Sequence, residues 1–178
     1  MIKSFDFYFD FVSPYSFLAH KEIKLIERRK TVKVIYKPIL LGGLHNLHGI
    51  KAPAFIPAKA KHMIRDCKLI AEKNKIKFKF NSYFPIKSLN LMRGVLVAEE
   101  DNIKSYYIDN IFDSIWRDGL NMNDESVIQK ILKNLNINPK TFFLRSQSSS
   151  IKDLLRKKTN EAYEKGVFGA PTFVSNNK

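Results

Sequence analysis

The chain has 178 residues, 44% of them hydrophobic, enough for one domain of ordinary size or one domain with a large insertion. Its 31 Lys and Arg outnumber its 17 Asp and Glu to give a net charge of +14, but the cations are scattered in small groups such as Lys59-Ala60-Lys61 and Arg156-Lys157-Lys158, so a solvated basic surface is the simpler reading and nucleic-acid binding is not expected. No apolar run approaches the ~20 residues of a membrane span, Asp6 and Asp10 interrupt any signal-peptide pattern, and the single cysteine, Cys67, excludes an intramolecular disulfide, so a cytoplasmic protein with Cys67 as a core thiol is expected.

The first element reads as a strand. Phe5, Phe7, Phe9 and Phe11 alternate with Asp6, Tyr8 and Asp10, a period of two. Ser13-Pro14 then opens a helix, with a hydroxyl at the N-cap and proline at the first helical position. Leu18, Ala19, Ile23, Leu25 and Ile26 are its expected apolar face. The first N–H groups of a helix lack backbone partners and carry the positive end of the dipole, so an anion or thiolate is stabilised there. Ser13 reads either as a cap alone or as a site residue. The tetrad Ser13-Pro14-Tyr15-Ser16 has the spacing of Cys-Pro-x-Cys, the redox motif at the first helix of thioredoxin-like folds, with oxygen in place of both sulfurs. Hydroxyls cannot exchange disulfides, but such a site could hold the thiol of a ligand such as glutathione.

Val32–Lys37 predicts a second strand, completing a βαβ unit with a parallel pair. From Ile39 the chain is punctuated by Gly42, Gly43, Gly49, Pro53 and Pro57 and reads as a long irregular segment, of the kind that is often functional. His45, His48, Lys59 and His62 are its polar candidates; no third ligand follows His45 and His48 at metal-binding spacing. Helices are then expected over 58–75, from Ser88, over 103–117, over 127–135, over 140–146 and from Ser148–Ser150 to about Lys165, where Gly166 ends the last. Lys77–Phe80 is extended and Phe84-Pro85-Ile86 a turn. The chain returns to a strand at Thr172-Phe173-Val174, just after Ala170-Pro171. A proline entering a strand far downstream of a Ser-Pro-x-Ser helix start is the layout of the thioredoxin fold, whose cis-proline loop faces the first helix.

These blocks together resemble the 2-hydroxychromene-2-carboxylate isomerase family and the related kappa-class glutathione transferases. The resemblance rests on Phe7-Tyr8-Phe9-Asp10-Phe11 with Ser13-Pro14-Tyr15-Ser16, on Pro38-Ile39-Leu40-Leu41-Gly42-Gly43, on Phe84-Pro85-Ile86, on Met92-Arg93, and on the run from Gly166 to Phe173, all in the same order. It implies an α/β thioredoxin-like domain (1–41 and 164–178) split by an all-helical insertion (42–163), forming one compact unit as in DsbA.

The resemblance also implies a glutathione-dependent homodimer acting on an aromatic-derived electrophile, by interconverting 2-hydroxychromene-2-carboxylate and trans-o-hydroxybenzylidenepyruvate. The catalytic position falls on Ser13, which would stabilise the glutathione thiolate. Lys59, Ala170 and Pro171 fall on glutathione-binding positions. The absence of a cysteine pair excludes disulfide exchange. Two departures stand out: Gly49-Ile50 replaces the family's Gly-Asn, and the γ-glutamyl-binding turn expected after the last strand is missing, with Asn176-Asn177-Lys178 read as a bare turn. The alternatives are therefore a kappa-like transferase and a C-terminally short, non-catalytic paralogue that binds a ligand or partner.

Overall fold

The computed structural model describes residues 3–29 and 32–175; the turn read at 176–178 lies outside them. Strand β1 (Lys3–Phe9) is followed by helix α1 (Pro14–Arg28) and strand β2 (Val32–Pro38). Helices α2 (Leu41–Leu47) and α3 (Pro57–Lys73) follow, with a single 3-10 turn at Pro53–Phe55 between them. Then come α4 (Leu89–Glu100), α5 (Lys104–Trp116), α6 (Glu125–Asn134), α7 (Pro139–Ser146), α8 (Ser149–Glu164) and strand β3 (Thr172–Val174). The sheet order is β2-β1-β3: β1 is parallel to β2, with Phe7 opposite Tyr36, and antiparallel to β3, with Phe7 opposite Phe173.

The alternation along β1 sorts the two faces of the sheet. Phe7, Phe9 and Phe11 are fully buried and join Phe17, Phe112 and Trp116 in the larger core cluster. Tyr8 points the other way, into a smaller cluster with Ile39, Leu44, Ala162 and Val167. Helices therefore cover both faces, and β1 is central, which is why its polar positions are few. The thioredoxin-like α/β fold with a large helical portion is as expected.

Caps mark the helix starts. Ser13, Asp124, Asn138 and Ser148 each accept a backbone N–H of the first turn. Ser88, also expected to cap, does not: it has helical dihedrals and makes no capping bond. Leu18 and Ile23 of the expected apolar face of α1 are buried, together with Phe17 and His20, but Leu25 and Ile26 are exposed. Lys77–Phe80 pairs with no described strand, and Lys79 N–H bonds the Trp116 carbonyl.

The segment expected to be irregular forms α2. Two glycines argue against a helix on propensity. Packing overrides that preference, since Ile39 and Leu44 are fully buried and the Leu41 N–H is met by the Asp10 carboxylate at 2.8 Å.

Candidate functional site

The site forms where β1 ends and α1 begins. Three residues, Asp10-Phe11-Val12, make the crossing, and each is held. Asp10 is fully buried; one carboxylate oxygen accepts the Val12 N–H at 3.0 Å and the other the Leu41 N–H at 2.8 Å. Its carbonyl accepts the Ser13 N–H at 3.1 Å. Burial pushes the Asp10 carboxyl above its ordinary range, opposed by hydrogen bonds from Val12, the Ser88 hydroxyl and Leu41. Phe11 N–H points at the Met92 sulfur at 3.4 Å, and the Phe11 carbonyl accepts Trp116 Nε1–H at 2.9 Å. Four elements thus fix a three-residue loop.

That loop delivers Ser13 to the α1 N-terminus. Its Oγ accepts the Ser16 N–H at 3.1 Å and donates to the Ala170 carbonyl at 2.8 Å, across 157 residues of sequence. The Ala170–Pro171 peptide is cis. Ser16 Oγ is buried and without a hydrogen-bond partner. The positive end of a 15-residue helix, an N-cap hydroxyl and a peptide carbonyl therefore converge on one spot. A thiolate would find donors there, and the backbone N–H of a peptide-like ligand would find an acceptor. The donor set fits glutathione.

Tyr15, also in the first turn of α1, donates its hydroxyl to Asp66 on α3 at 2.7 Å. Burial, followed by that hydrogen bond, raises the phenol pKa. Cys67 beside it is fully buried, and burial together with Asp66 pushes its thiol up to about 12, as suits a core thiol.

The structure brings Ser13, Ala170 and Pro171 together. Lys59 makes no hydrogen bond to them. It lies in the first turn of α3, exposed, and forms no ion pair among the described residues. It shares a helix face with Asp66, seven residues and ~10 Å further along the axis, so the Tyr15–Asp66 bond is what relates α3 to the α1 N-terminus.

Sequence reasoning missed Asp10, Met92 and Trp116 as supports of the loop. The signal for Asp10 was present: an acid inside an aromatic strand end, needing partners when buried. His45 and His48 gather no metal cluster, and none of three or more ligands exists among the described residues. His45 is buried, and its pKa is lowered by burial and then by His48.

A cleft of about 850 Å³ lies at the opposite end of α1, lined among others by Lys21, Lys24, Leu25, Asp109 and Asp113. Four of its charges are paired with one another, Lys24 with Asp109 at 3.0 Å and Lys21 with Asp113. It offers no nucleophile or orphan donor comparable to the Ser13 junction.

A DSBA-like thioredoxin domain matches residues 4–178. The chain belongs to the DSBA-like thioredoxin family. Within that family it is 27% identical over 173 residues to a 2-hydroxychromene-2-carboxylate isomerase of Sphingobium xenophagum, covering 96% of this chain and 88% of the relative. It is 25% identical over 175 residues to glutathione S-transferase kappa 1 of Caenorhabditis elegans, covering 93% and 77%. Among solved structures, a 2-hydroxychromene-2-carboxylate isomerase superposes with a TM-score of 0.88 at 22% identity, over 98% of this chain and 86% of that one. The cytosolic disulfide reductase DsbM of Pseudomonas aeruginosa, solved with GSH, gives 0.68 at 15% identity, over 98% and 87%. The relatives by sequence are thus named as enzymes, isomerases and glutathione transferases. No described helix is long and apolar enough to cross a membrane.

Proposed function

We propose that this chain is a glutathione-dependent isomerase acting on a chromene carboxylate or a related aromatic-derived electrophile. The observation that carries the reading is the Ser13 hydroxyl, at the N-cap of α1 and 2.8 Å from the carbonyl that precedes Pro171. The named isomerase from Sphingobium xenophagum supports the substrate class. The DsbM structure solved with GSH and the kappa transferases support the thiol.

Glutathione, if held at Ser13, Lys59 and the Ala170 carbonyl, would supply a thiolate for reversible addition to a conjugated carbon, the chemistry that permits rotation about the former double bond. The protein's part is to hold and orient that sulfur. Ser13 turns its hydroxyl from the Ala170 carbonyl to the sulfur, and the α1 dipole favours the negative form. The carbonyl so released accepts a ligand N–H. Lys59 offsets a ligand carboxylate. The Asp10–Val12 loop holds the start of α1 in place, so the helix dipole needs no reorganisation as charge develops.

A kappa-like transferase is the second reading, favoured by the 25% identity to a named kappa transferase; the same thiolate would serve both chemistries. A homodimer in the cytoplasm is part of the proposal.

The test is a calorimetric titration of reduced glutathione into the chain, with Ser13→Ala and Lys59→Ala, followed by a spectrophotometric assay with 2-hydroxychromene-2-carboxylate. Binding weakened roughly tenfold or more by Ser13→Ala, at the scale of a hydrogen bond to a charged group, is the expected result. A folded chain that binds no glutathione overturns the reading and leaves a non-catalytic binding protein.

A further inference from the structure

His48 plays no part in the chemistry proposed above, yet its side chain is held by a hydrogen bond and an aromatic contact. It closes the C-terminal end of α2. Its Nε2 lies 2.9 Å from the Val167 carbonyl, and its ring packs on Tyr163 with centroids 4.5 Å apart. A carbonyl can only accept, so Nε2 carries the hydrogen. Val167 opens the short stretch that leads from α8, through Gly169, to Ala170.

The other end of α2 is tied as well. Asp10 Oδ2 accepts the Leu41 N–H, while Oδ1 accepts the Val12 N–H one residue before Ser13. Four contacts then form a closed circuit. Ser13 bonds Ala170, the chain runs back to Val167, Val167 bonds His48, α2 runs back to Leu41, and Leu41 bonds the carboxylate that also holds Val12. The helix inside the circuit is anchored by fully buried Leu44, and Ile39 precedes it in the same core cluster.

We infer that α2 is a strut setting the position of the Ala170 carbonyl relative to Ser13, with His48 as the positioning residue at its far end. The physical need is clear. Val167 is buried, but Phe168 is 68% exposed and Gly169 carries no side chain to pack. Phe168 and Gly169 therefore have little side-chain packing of their own; the Thr172 hydroxyl holds the Gly169 carbonyl at 2.8 Å, and three residues ahead of the Ala170 carbonyl Val167 is fixed by its buried side chain and its N–H bond to Ala162, with the His48 bond holding its carbonyl. The consequence for glutathione rests on the Ser13 reading above; the strut itself does not.

The test separates the two. Amide hydrogen exchange is followed in the free chain over residues 166–172, for the unaltered protein, His48→Phe and His48→Gln. Phenylalanine keeps a ring against Tyr163 but has no donor; glutamine keeps an N–H donor at similar reach. His48→Phe is expected to exchange about five- to tenfold faster in this segment, the scale of one lost hydrogen bond, and His48→Gln to recover most of the protection. Unchanged exchange in His48→Phe, or a glutamine variant as fast as the phenylalanine one, overturns the inference. If His48→Phe does not fold, His48→Asn, too short for the carbonyl, carries the same expectation. Reduced glutathione is then titrated into the same proteins. Binding by the unaltered chain that is weakened in His48→Phe and restored in His48→Gln supports the strut's role at the site. Equal affinity in all three overturns that role. No binding by the unaltered chain overturns the glutathione reading alone, and the exchange comparison still decides the strut.

Discussion

Ser13 is asked to do two things that separate under mutation. As an N-cap it satisfies the Ser16 N–H, and its loss should cost about 1 kcal/mol of stability. As a donor it would face a ligand sulfur. Ser13→Cys isolates the electrostatic part. A thiol at the N-terminus of α1 should titrate below the ordinary value of about 8.5. The native Cys67 will not interfere, being buried and pushed up to about 12. Rates of alkylation between pH 5 and 9 measure this directly; a thiol at position 13 titrating at or above the ordinary value would remove the case for an anion-stabilising site. His20 gives a second prediction at this scale. It is buried, with Nδ1 2.8 Å from the Tyr36 hydroxyl and Nε2 2.8 Å from Asp109. Burial, against the pull of Asp109 and helped by Lys21 and Lys24, lowers its pKa from the ordinary 6.5. The folded chain therefore binds fewer protons at this residue than the unfolded chain does, between the lowered value and 6.5. Its contribution to stability is complete above 6.5 and is lost as pH falls through that window. The urea midpoint should drop between pH 7.5 and 5.5, and His20→Gln should shrink the drop, leaving the share from His45, which is lowered in the same direction, against that of Asp10, which is raised and acts in the opposite sense. An identical pH dependence in His20→Gln would refute it.

At the scale of elements, close contacts rather than propensity decide what can change. A Cβ added at Gly94 in α4 would collide with the Tyr107 hydroxyl and sit 3.0 Å from Phe142, both fully or nearly fully buried. Tyr107 cannot swing aside without losing its 3.1 Å bond to the Leu91 carbonyl. Gly94→Ala should therefore destabilise by about 1–3 kcal/mol despite the better helix propensity of alanine, read as a lower denaturant midpoint with an unchanged slope. A neutral or stabilising result would mean that α4, α5 and α7 pack more loosely than these contacts require. The same contrast explains what the sequence could and could not reveal. Elements whose signal is local were legible: the Ser13-Pro14, Asn138-Pro139 and Ser148 helix starts fall where the caps are found. Tyr107, Ile108, Ile111, Phe112, Ile115 and Trp116 show the buried stripe expected of α5. Helix α2 was not legible, because what makes it a helix is a carboxylate 31 residues earlier and a core formed by other elements. The site followed the same rule. Ser13 and Pro171 carry local signatures. The partners that hold them, Asp10 to Leu41, Met92 to Phe11 and His48 to Val167, are long-range pairs that no spacing announces.

At the scale of the whole molecule, the question is whether the sheet and the helices between its strands melt separately. The larger core cluster is continuous from Phe7 and Phe9 on β1, through Phe17 on α1, to Phe112 and Trp116 on α5 and on to Ile151 and Leu155 on α8. Trp116 also bonds the backbone of Phe11, at the heart of the candidate site. Breaking the helices away would strand that indole N–H and open the aromatic face of β1 to water, a penalty on both sides of any division. We propose on these grounds that the sheet segments (1–41 and 164–178) and the helices of 42–163 form one cooperative unit. The single tryptophan makes this measurable. Trp116 is fully buried at the junction, so its fluorescence should report loss of the interface, while far-UV circular dichroism reports the helices. The two curves should coincide across a urea titration, as two-state unfolding requires. A fluorescence change that precedes the loss of helix would show that the interface opens first and that the helical portion stands alone, and the bonds of Phe11 to Trp116 and Met92 would then join two separable bodies rather than lie within one core.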